Sequence, residues 1–338
     1  MMANFLGMET FKKGVSNYLA QNKFGNAQQD DLWEALTTAA HTDGVLDQSL
    51  SVKQIMDTWT LQMGYPVVNV ERLYNLTNTV RVQQERFLLY EDKEASLNET
   101  EDGISYRWWV PVSYASSSGN FSNTAPKFWL HPDTHEATQH TVDVSNDEAL
   151  ILNVKESGFY RVNYDPRNWK LMQEALKSNH KSIHRTNRAQ ILNDALSLAK
   201  AGRLDYATAL GLTKYLQKEE DYIPWQAVLS SLDYLDLMLG RTGVYGDYKK
   251  YLTGELQQTY NKLGFVPKDE DGFLDILLRK QVINTMCGLG YAPCVDEGNN
   301  TSILLFVLLL FARIKRFLVS LPINLCCSFL AIHQLDVF

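Results

Sequence analysis

The spacing of apolar residues divides the chain into helical and strand-like stretches. Residues 2–65 repeat apolar positions at helical intervals, and between Val52 and Met63 the positions 52, 55, 56, 59 and 63 share one face. Asp30 and Asp31 precede the segment LWEALTTAA as candidate N-caps, and Gly64 supplies a helix stop. We therefore expect short helices over residues 1–65.

The period changes to that of strands between Val67 and Tyr164. Short runs rich in β-branched and aromatic residues alternate with clusters of Asn, Ser, Gly and Asp, and no helical stretch is long enough for a crossover. The runs are VVNV, FLLY, YRWWVPVSY, KFWL, HTVDV, ALILNV and GFYRVNY. About seven strands in roughly a hundred residues predict an antiparallel β-sandwich over residues 66–163.

The helical period returns after Tyr164. Asp165 followed by Pro166 is typical of an N-cap and a first helical position, while Gly202 and Gly240 follow apolar faces as helix stops. Another helix is expected from Pro224. Successive helices with short joints predict a stacked α-helical array of the HEAT or armadillo kind over residues 164–297, although no fixed-period repeat is visible.

The last segment, residues 298–338, differs from the rest of the chain in its pattern of apolar residues. Its first apolar run, Ile303–Ala312, is shorter than the roughly 18 to 20 residues of a membrane helix. Its second run contains Pro322 and Asn324. We therefore expect an apolar tail outside the native fold rather than a clear transmembrane helix.

Composition narrows the class of protein. Hydrophobic residues make up 45% of the chain, which indicates packed globular domains. A net charge of −7, without a basic run interleaved with aromatic residues, argues against a nucleic-acid partner. The opening segment MMANFLGMETFKKG has neither the charged region nor the apolar core of a signal peptide.

The segment HPDTHEATQH, residues 131–140, has the residue types of a zinc site but not the spacing. In H-E-x-x-H, two histidines four residues apart bind Zn²⁺ from one helical face. Here His135, Glu136 and His140 read H-E-x-x-x-H, which sets the rings roughly 140° apart on a helix. His131 and His135 have the right offset, but Pro132 follows the first and no Glu lies between them. We predict a polar loop and no metal-binding or catalytic residue here.

Two arginines are weaker candidates for ligand contact. Arg161 and Arg188 could each bind a peptide carboxylate through two parallel hydrogen bonds, yet their Asn, Tyr and Asp neighbours favour internal hydrogen bonds. The large aromatic residues Trp59, Trp108, Trp109 and Trp225 are expected to be core anchors.

Cysteines and sequons favour an oxidising compartment. Cys287 and Cys294 close the short loop CGLGYAPC, whose glycines and proline suit a tight return, so a disulfide is one reading of the pair. Sequons for N-glycosylation occur at Asn75, Asn98, Asn120, Asn299 and Asn300. Together they favour a secretory or extracellular protein. Because this chain begins with a helical pattern and lacks the features of a signal peptide, we expect it to be truncated.

Several long stretches resemble one family in the same order. They are FKKGVSNYL at 11–19, MDTWTLQMGYPVV at 56–68, GFYRVNYDPRNW at 158–169, NRAQILNDAL at 187–196, YIPWQAVLSSLDYL at 222–235 and C-x₆-C at 287 and 294. Over residues 2–297 the chain resembles the zinc aminopeptidases of the aminopeptidase N type, the membrane alanyl aminopeptidases.

The resemblance implies a multidomain, mixed α and β architecture. Residues 1–65 would be the last helices of a thermolysin-like catalytic domain, residues 66–163 the β-sandwich, and residues 164–297 part of the helical C-terminal domain. Residues 298–338 form a tail that matches nothing in the family, as do Cys326 and Cys327. The resemblance also implies a Cys287–Cys294 disulfide.

The resemblance implies zinc in the full-length family member, but none bound by this chain. The family's H-E-x-x-H with its downstream Glu, its G-A-M-E-N segment and its catalytic Tyr have no counterpart in these 338 residues. We therefore expect the chain alone to be inactive and to form part of the chamber wall that limits access of peptide substrates.

The resemblance further implies the extracellular face of the plasma membrane or secretion, and a possible homodimer. Two alternatives stay open at this point. The chain could be a non-catalytic extracellular binding module, or the unstable product of a truncated gene model.

Overall fold

The computed structural model describes residues 1–76, 78–90 and 106–301. The chain divides into two compact units, Met1–Tyr248 and Lys249–Phe338, and the described residues mix helices with small sheets. The helices are α1 Met2–Phe5, α2 Met8–Gln21, α3 Gln29–Thr42, α4 Val52–Thr60, α5 Pro166–Asn179, α6 Arg185–Lys200, α7 Tyr206–Thr213, α8 Tyr222–Leu239, α9 Tyr245–Leu263 and α10 Phe273–Gly288. The strands are β1 Pro66–Arg72, β2 Thr79–Arg86, β3 Val110–Val112, β4 Tyr114–Ser116, β5 Phe128–Leu130, β6 Thr138–Thr141, β7 Leu150–Leu152 and β8 Arg161–Tyr164.

The first four helices form where the apolar spacing predicts them. Helix α4 begins with a capping box in which the Ser51 hydroxyl accepts from the Gln54 backbone N–H and the Gln54 side chain accepts from the Ser51 N–H. Their apolar faces share one core, and Trp59 Nε1 donates to the Trp109 carbonyl at 3.0 Å. The helical segment is therefore bonded to the strand region that follows. The buried core residues are Phe5, Leu6, Trp33, Leu36, Ala40, Leu46, Val52, Ile55 and Met56.

The strands form one four-stranded sheet and two pairs. The larger sheet has the order β6-β2-β1-β8, and β3 pairs with β5 and β4 with β7. Strand β1 is antiparallel to β2 but parallel to β8, with Val67 opposite Arg161. The prediction of a wholly antiparallel arrangement is therefore wrong at this pair. Parallel neighbours need a long crossover, and here the residues between β1 and β8 supply it; their described part, 73–76, 78–90 and 106–160, carries strands β2 to β7 and no α-helix.

One predicted strand was misplaced. The apolar run FLLY at 87–90 lies outside the strands, and β2 is the preceding segment TVRVQQER. In β2 the buried side chains alternate with more exposed ones, because successive side chains of a strand point to opposite faces of the sheet. Gln84 belongs to the buried face, where it bonds the Trp108 backbone in both directions.

The later helices begin and end close to the predicted positions. The Asp165 carboxylate accepts from the Asn168 backbone N–H at 2.9 Å, which caps α5 ahead of Pro166. Gly202 follows α6 with φ 72°, a left-handed conformation that favours glycine. Helix α8 starts at Tyr222, two residues before the predicted Pro224, since proline is tolerated in the first turn.

In the described ranges, no helix is both long enough and apolar enough to cross a membrane. The predicted apolar tail lies almost entirely outside those ranges. The three-domain division and the HEAT-like array stay predictions.

Candidate functional site

The histidine segment does not gather its rings around one point. The His131 ring packs edge-on against Trp109, with ring centres 4.1 Å apart. His140, on β6, stacks on Phe128 at 3.8 Å, and burial lowers its pKa. Across residues 1–76, 78–90 and 106–301, no three His, Cys, Asp or Glu side chains lie close enough together to hold a metal ion. These residues do not fit the three-ligand zinc site of the family.

A different cavity gathers charged and aromatic side chains in the first unit. Its volume is about 370 Å³. Tyr65, Phe159 and Arg161 line it together with Asn193 and Asp194. Tyr65 directly precedes β1, Phe159 lies in the turn before β8, Arg161 is the first residue of β8, and the other two belong to α6.

The turn before β8 has a constrained backbone. Asn153, Lys155 and Glu156 all have left-handed φ angles, of 62°, 54° and 54°, a conformation that costs a non-glycine residue about 1 kcal/mol or more. The buried Asn153 side chain holds the turn by accepting from the Gly158 N–H and donating to the Gly158 carbonyl. A β-carbon at Gly158 would lie 2.3 Å from the Tyr160 ring, so only glycine fits there.

Arg161 lies at the inner wall of this cavity. Its Nη1 donates to Asp194 Oδ1 at 2.9 Å and to Asn193 Oδ1 at 2.6 Å, and its Nε donates to the Tyr65 hydroxyl at 3.3 Å. The guanidinium also lies over the Phe87 ring, 5.0 Å from its centre. Nη2 donates to none of the described residues, so it can donate to an oxygen atom that enters the cavity.

Asp194 is the buried partner of Arg161. Its second oxygen accepts from the Val162 backbone N–H at 3.0 Å. Burial raises the pKa of Asp194 from 3.8 to about 6, although Arg161 and the Val162 N–H favour the charged form. A cavity, a constrained turn and a carboxyl group with a shifted pKa coincide here, which makes this cavity the candidate binding site.

We expect Asp194→Asn to change how stability depends on pH. Because the pKa of Asp194 is higher in the folded chain than its unfolded value of 3.8, its contribution to stability is fully present below that value and is lost as pH rises to about 6. Asparagine does not titrate, so Asp194→Asn does not lose stability in this way as pH rises. Its free energy of unfolding relative to wild type should therefore rise by about 2 to 3 kcal/mol between pH 4 and pH 7 in urea titrations. A pH-independent difference would contradict the shifted pKa.

The second candidate arginine is enclosed. Arg188 is only 3% exposed, and its side chain donates to both oxygens of Glu219, to Asp221 and to the carbonyls of His180 and Ile183. All of these partners belong to the chain itself. The expectation of internal hydrogen bonds is thus confirmed for Arg188, whereas Arg161 combines internal bonds with an exposed edge. The cavity partners Asp194, Asn193 and Tyr65 were missed in the sequence.

Most of the predicted modification sites are exposed. Asn75, Asn120, Asn299 and Asn300 lie at the surface, while Asn98 is outside the described residues. Asn120 Oδ1 accepts from the Ser122 backbone N–H, whereas Asn299 and Asn300 lie in a helical stretch. Glycosylation at these positions stays a prediction.

Cys287 and Cys294 form a disulfide in the second unit, with their Cα atoms 5.2 Å apart. The bond joins the end of α10 to the residues that follow it. Cys326 and Cys327 lie outside the described residues.

We expect removal of this disulfide to loosen the end of α10. A bond that closes so short a loop contributes about 2 to 3 kcal/mol by restricting the unfolded chain. In Cys287→Ala/Cys294→Ala, backbone amides in the last turns of α10 should exchange about 30- to 100-fold faster with deuterated water. Reduced wild-type chain should show the same change. Unaltered exchange in both samples would refute the stabilising role.

Two family models match the chain in separate stretches. Residues 1–59 match the Peptidase family M1 domain, and residues 149–301 match the ERAP1-like C-terminal domain. The cavity described above draws most of its residues from the second stretch, with Met1 from the first and Tyr65 lying between the two.

Curated relatives cover most of the chain. Human glutamyl aminopeptidase is 34% identical over 96% of it, and aminopeptidase N of Rattus norvegicus is 35% identical over 88%. The thyrotropin-releasing hormone-degrading ectoenzyme of Rattus norvegicus is 31% identical over 88% of the chain. Because the alignment with glutamyl aminopeptidase covers 96% of the chain, it extends beyond residue 297. The prediction that residues 298–338 match nothing in the family is therefore wrong for part of that segment.

The chain spans under a third of the length of these relatives, from 28% to 31% of each. Within that span, the resemblance to the aminopeptidase N type is confirmed by both family models and by the named relatives. The chain is therefore identified as a sequence relative of the M1 peptidases, matching their peptidase domain over residues 1–59 and their C-terminal domain over residues 149–301.

Proposed function

We propose that this chain forms the C-terminal region of a zinc aminopeptidase that removes N-terminal residues from peptides. The observation that carries the proposal is the similarity of 88% to 96% of the chain to aminopeptidase N and glutamyl aminopeptidase. In this proposal residues 1–65 complete a thermolysin-like domain, residues 66–163 are the β-sandwich and residues 164–297 begin a HEAT-like array.

The role of the chain in that enzyme is to wall the chamber that peptides enter. The Arg161 cavity supports this role, because Nη2 can donate to a peptide oxygen while Tyr65 and Phe159 offer ring surface. The zinc ligands and catalytic groups belong to family motifs that this sequence does not contain. The names of the relatives state different substrates, so peptides are proposed as a class without a narrower preference.

We place this activity on the outer face of the cell membrane or in the secreted fraction, with glycosylation at the exposed sequons. The Cys287–Cys294 disulfide supports an oxidising compartment. The ectoenzyme among the relatives supports the same location. A homodimer is part of the proposal, as in the family.

Reconstitution tests the proposed function. The purified chain is assayed for bound zinc and for hydrolysis of alanyl- and glutamyl-p-nitroanilide, alone and mixed with the part of rat aminopeptidase N that precedes its aligned stretch. We expect neither zinc nor hydrolysis with the chain alone, and hydrolysis that increases and saturates as the chain is added to the other part.

Two outcomes would overturn the proposal. Stoichiometric zinc and hydrolysis by the chain alone would show a site that the family motifs do not account for. Absence of both a complex on gel filtration and any rise in hydrolysis would remove the role in a chamber wall. A denatured sample of the chain serves as the control for nonspecific protection of the other part.

A further inference from the structure

A second cavity of about 620 Å³ lies elsewhere on the first unit. Lys155, Lys181, Ser182 and His184 line one side of it, and the loop of residues 118–122 lines the other. The turn that presents Glu156 to the Arg161 cavity thus presents its neighbour Lys155 to this one. The function proposed above does not use this second cavity.

Its lining is basic, although the chain as a whole is acidic. Among the described residues, two lysines and one histidine line it and no carboxylate is part of the lining, although Glu148 accepts from the lining residue Ser118, in a chain with a net charge of −7. Lys155 forms no ion pair with a described residue. Lys181 has only an exposed pair with Glu220 at 3.3 Å, an interaction that contributes little and leaves the ammonium available.

The backbone at Lys155 is held in place by hydrogen bonds to a buried side chain. Its N–H donates to Asn187 Oδ1 at 2.7 Å, and Asn187 is fully buried and donates in turn to the Asn153 carbonyl at 2.9 Å. These bonds fix a lysine in the left-handed region, where φ is 54°. A non-glycine residue keeps such a conformation only where its surroundings enforce it, so the position of this lysine is built into the fold.

Helix α6 begins at the same place. His184 caps it, its Nδ1 accepting from the Thr186 N–H, so the neutral ring carries its proton on Nε2 and can donate from there. Burial lowers the pKa of His184 most, and the nearby Lys155, Arg185 and Arg188 lower it further against the opposing effect of Asp221. The N-terminus of α6 adds a partial positive charge at the same place.

The rest of the lining is rich in groups that bind hydroxyls. Ser122 and Ser182 provide two hydroxyls, and the cavity is open to solvent, so a ligand on it would keep one face in water. We propose that this cavity binds an acidic saccharide, a sugar that carries a carboxylate or sulfate group. Lys155 and Lys181 pair with the acid group, and the serines bond the sugar hydroxyls.

Two sources can present this chemistry. Asn120 is itself a predicted glycosylation site on the rim, so the acidic sugar can belong to the chain's own glycan or to a glycan on another molecule. The experiment therefore uses the full chain from a secretory host in three forms, as secreted, after sialidase treatment, and as Asn120→Gln.

Binding is measured by isothermal titration with three probes: 3′-sialyllactose, a sulfated heparin disaccharide and neutral lactose. We expect the two acidic probes to bind the Asn120→Gln form at least about tenfold more tightly than lactose does. Adding Lys155→Gln/Lys181→Gln to that form should raise the Kd for the acidic probes about tenfold or more.

The matched control is Lys170→Gln/Lys214→Gln, which makes the same change of net charge with two exposed lysines outside the cavity. It should change the Kd less than about twofold. Binding to the secreted form only after sialidase treatment would assign the site to the chain's own glycan, and equal binding before and after would assign it to an external one. Equal losses in the two lysine pairs, equal binding of lactose, or no binding of any probe would overturn the proposal.

Discussion

Replacing Arg188 by methionine should lower the free energy of unfolding of the first unit by about 3 to 5 kcal/mol. The guanidinium makes five hydrogen bonds, two of them to a Glu219 side chain that has no solvent exposure. Methionine fills a similar volume but leaves the Glu219 carboxylate buried without its cation. Urea denaturation followed by tryptophan fluorescence measures the loss, since every tryptophan lies before residue 226.

The matched control for this prediction is Arg185→Met, three residues earlier at the start of α6. Arg185 is half exposed and lies 3.8 Å from Asp221, so its loss should cost less than about 1 kcal/mol. The double variant Arg188→Met/Glu219→Gln should recover a large part of the loss, because it also removes the buried negative charge of Glu219. An equal effect of the two arginine substitutions would show that the buried pair carries no special weight.

The sequence predicts helix boundaries well because their signals are local. Asp165 caps α5 within three residues of its own position, and the glycines at 202 and 240 follow α6 and α8 as expected. Trp108 and Trp225 are fully buried, as their size leads one to expect. Each of these features depends on a neighbour in sequence or on side-chain volume alone.

The sheet was harder to predict because its pairings join distant residues. Strand β1 pairs with β8 in parallel through residues more than ninety positions apart, and no local pattern distinguishes this from an antiparallel pairing. Strand β2 is not apparent in the sequence because six of its eight positions are polar, including the buried Gln84. The continuous apolar run FLLY indicates a strand less reliably than the alternation of buried and exposed side chains in β2.

The Arg161 cavity was beyond sequence reasoning for a similar reason. Asp194 is 33 positions from Arg161, and nothing in NRAQILNDAL indicates that its carboxylate turns toward β8. Only the spacing of Asn153 and Gly158 could have indicated a constrained turn, since an Asn side chain can bond the backbone a few residues on. In the sequence, Arg161 is only a single arginine among polar neighbours.

Trp225→Ala should destabilise the first unit by about 3 to 5 kcal/mol, through a cavity in its core. The Trp225 side chain has no exposed surface, and its Nε1 donates to the Glu219 carbonyl at 3.1 Å. Trp225→Phe keeps most of the buried ring but loses that hydrogen bond and part of the ring volume, so it should cost less than Trp225→Ala, about 1 to 3 kcal/mol. Urea denaturation of both variants, followed by far-ultraviolet circular dichroism, compares loss of the whole ring with loss of part of it.

Trp225 and Arg188 both bond Glu219, one through its backbone carbonyl and the other through its carboxylate. Because they share a partner, their effects should not add. The double variant Trp225→Phe/Arg188→Met should differ from the sum of the single losses by about 0.5 kcal/mol or more. Strict additivity would mean that the two bonds to Glu219 are independent, and that the segment joining α7 to α8 is held by separate contacts rather than through this one residue.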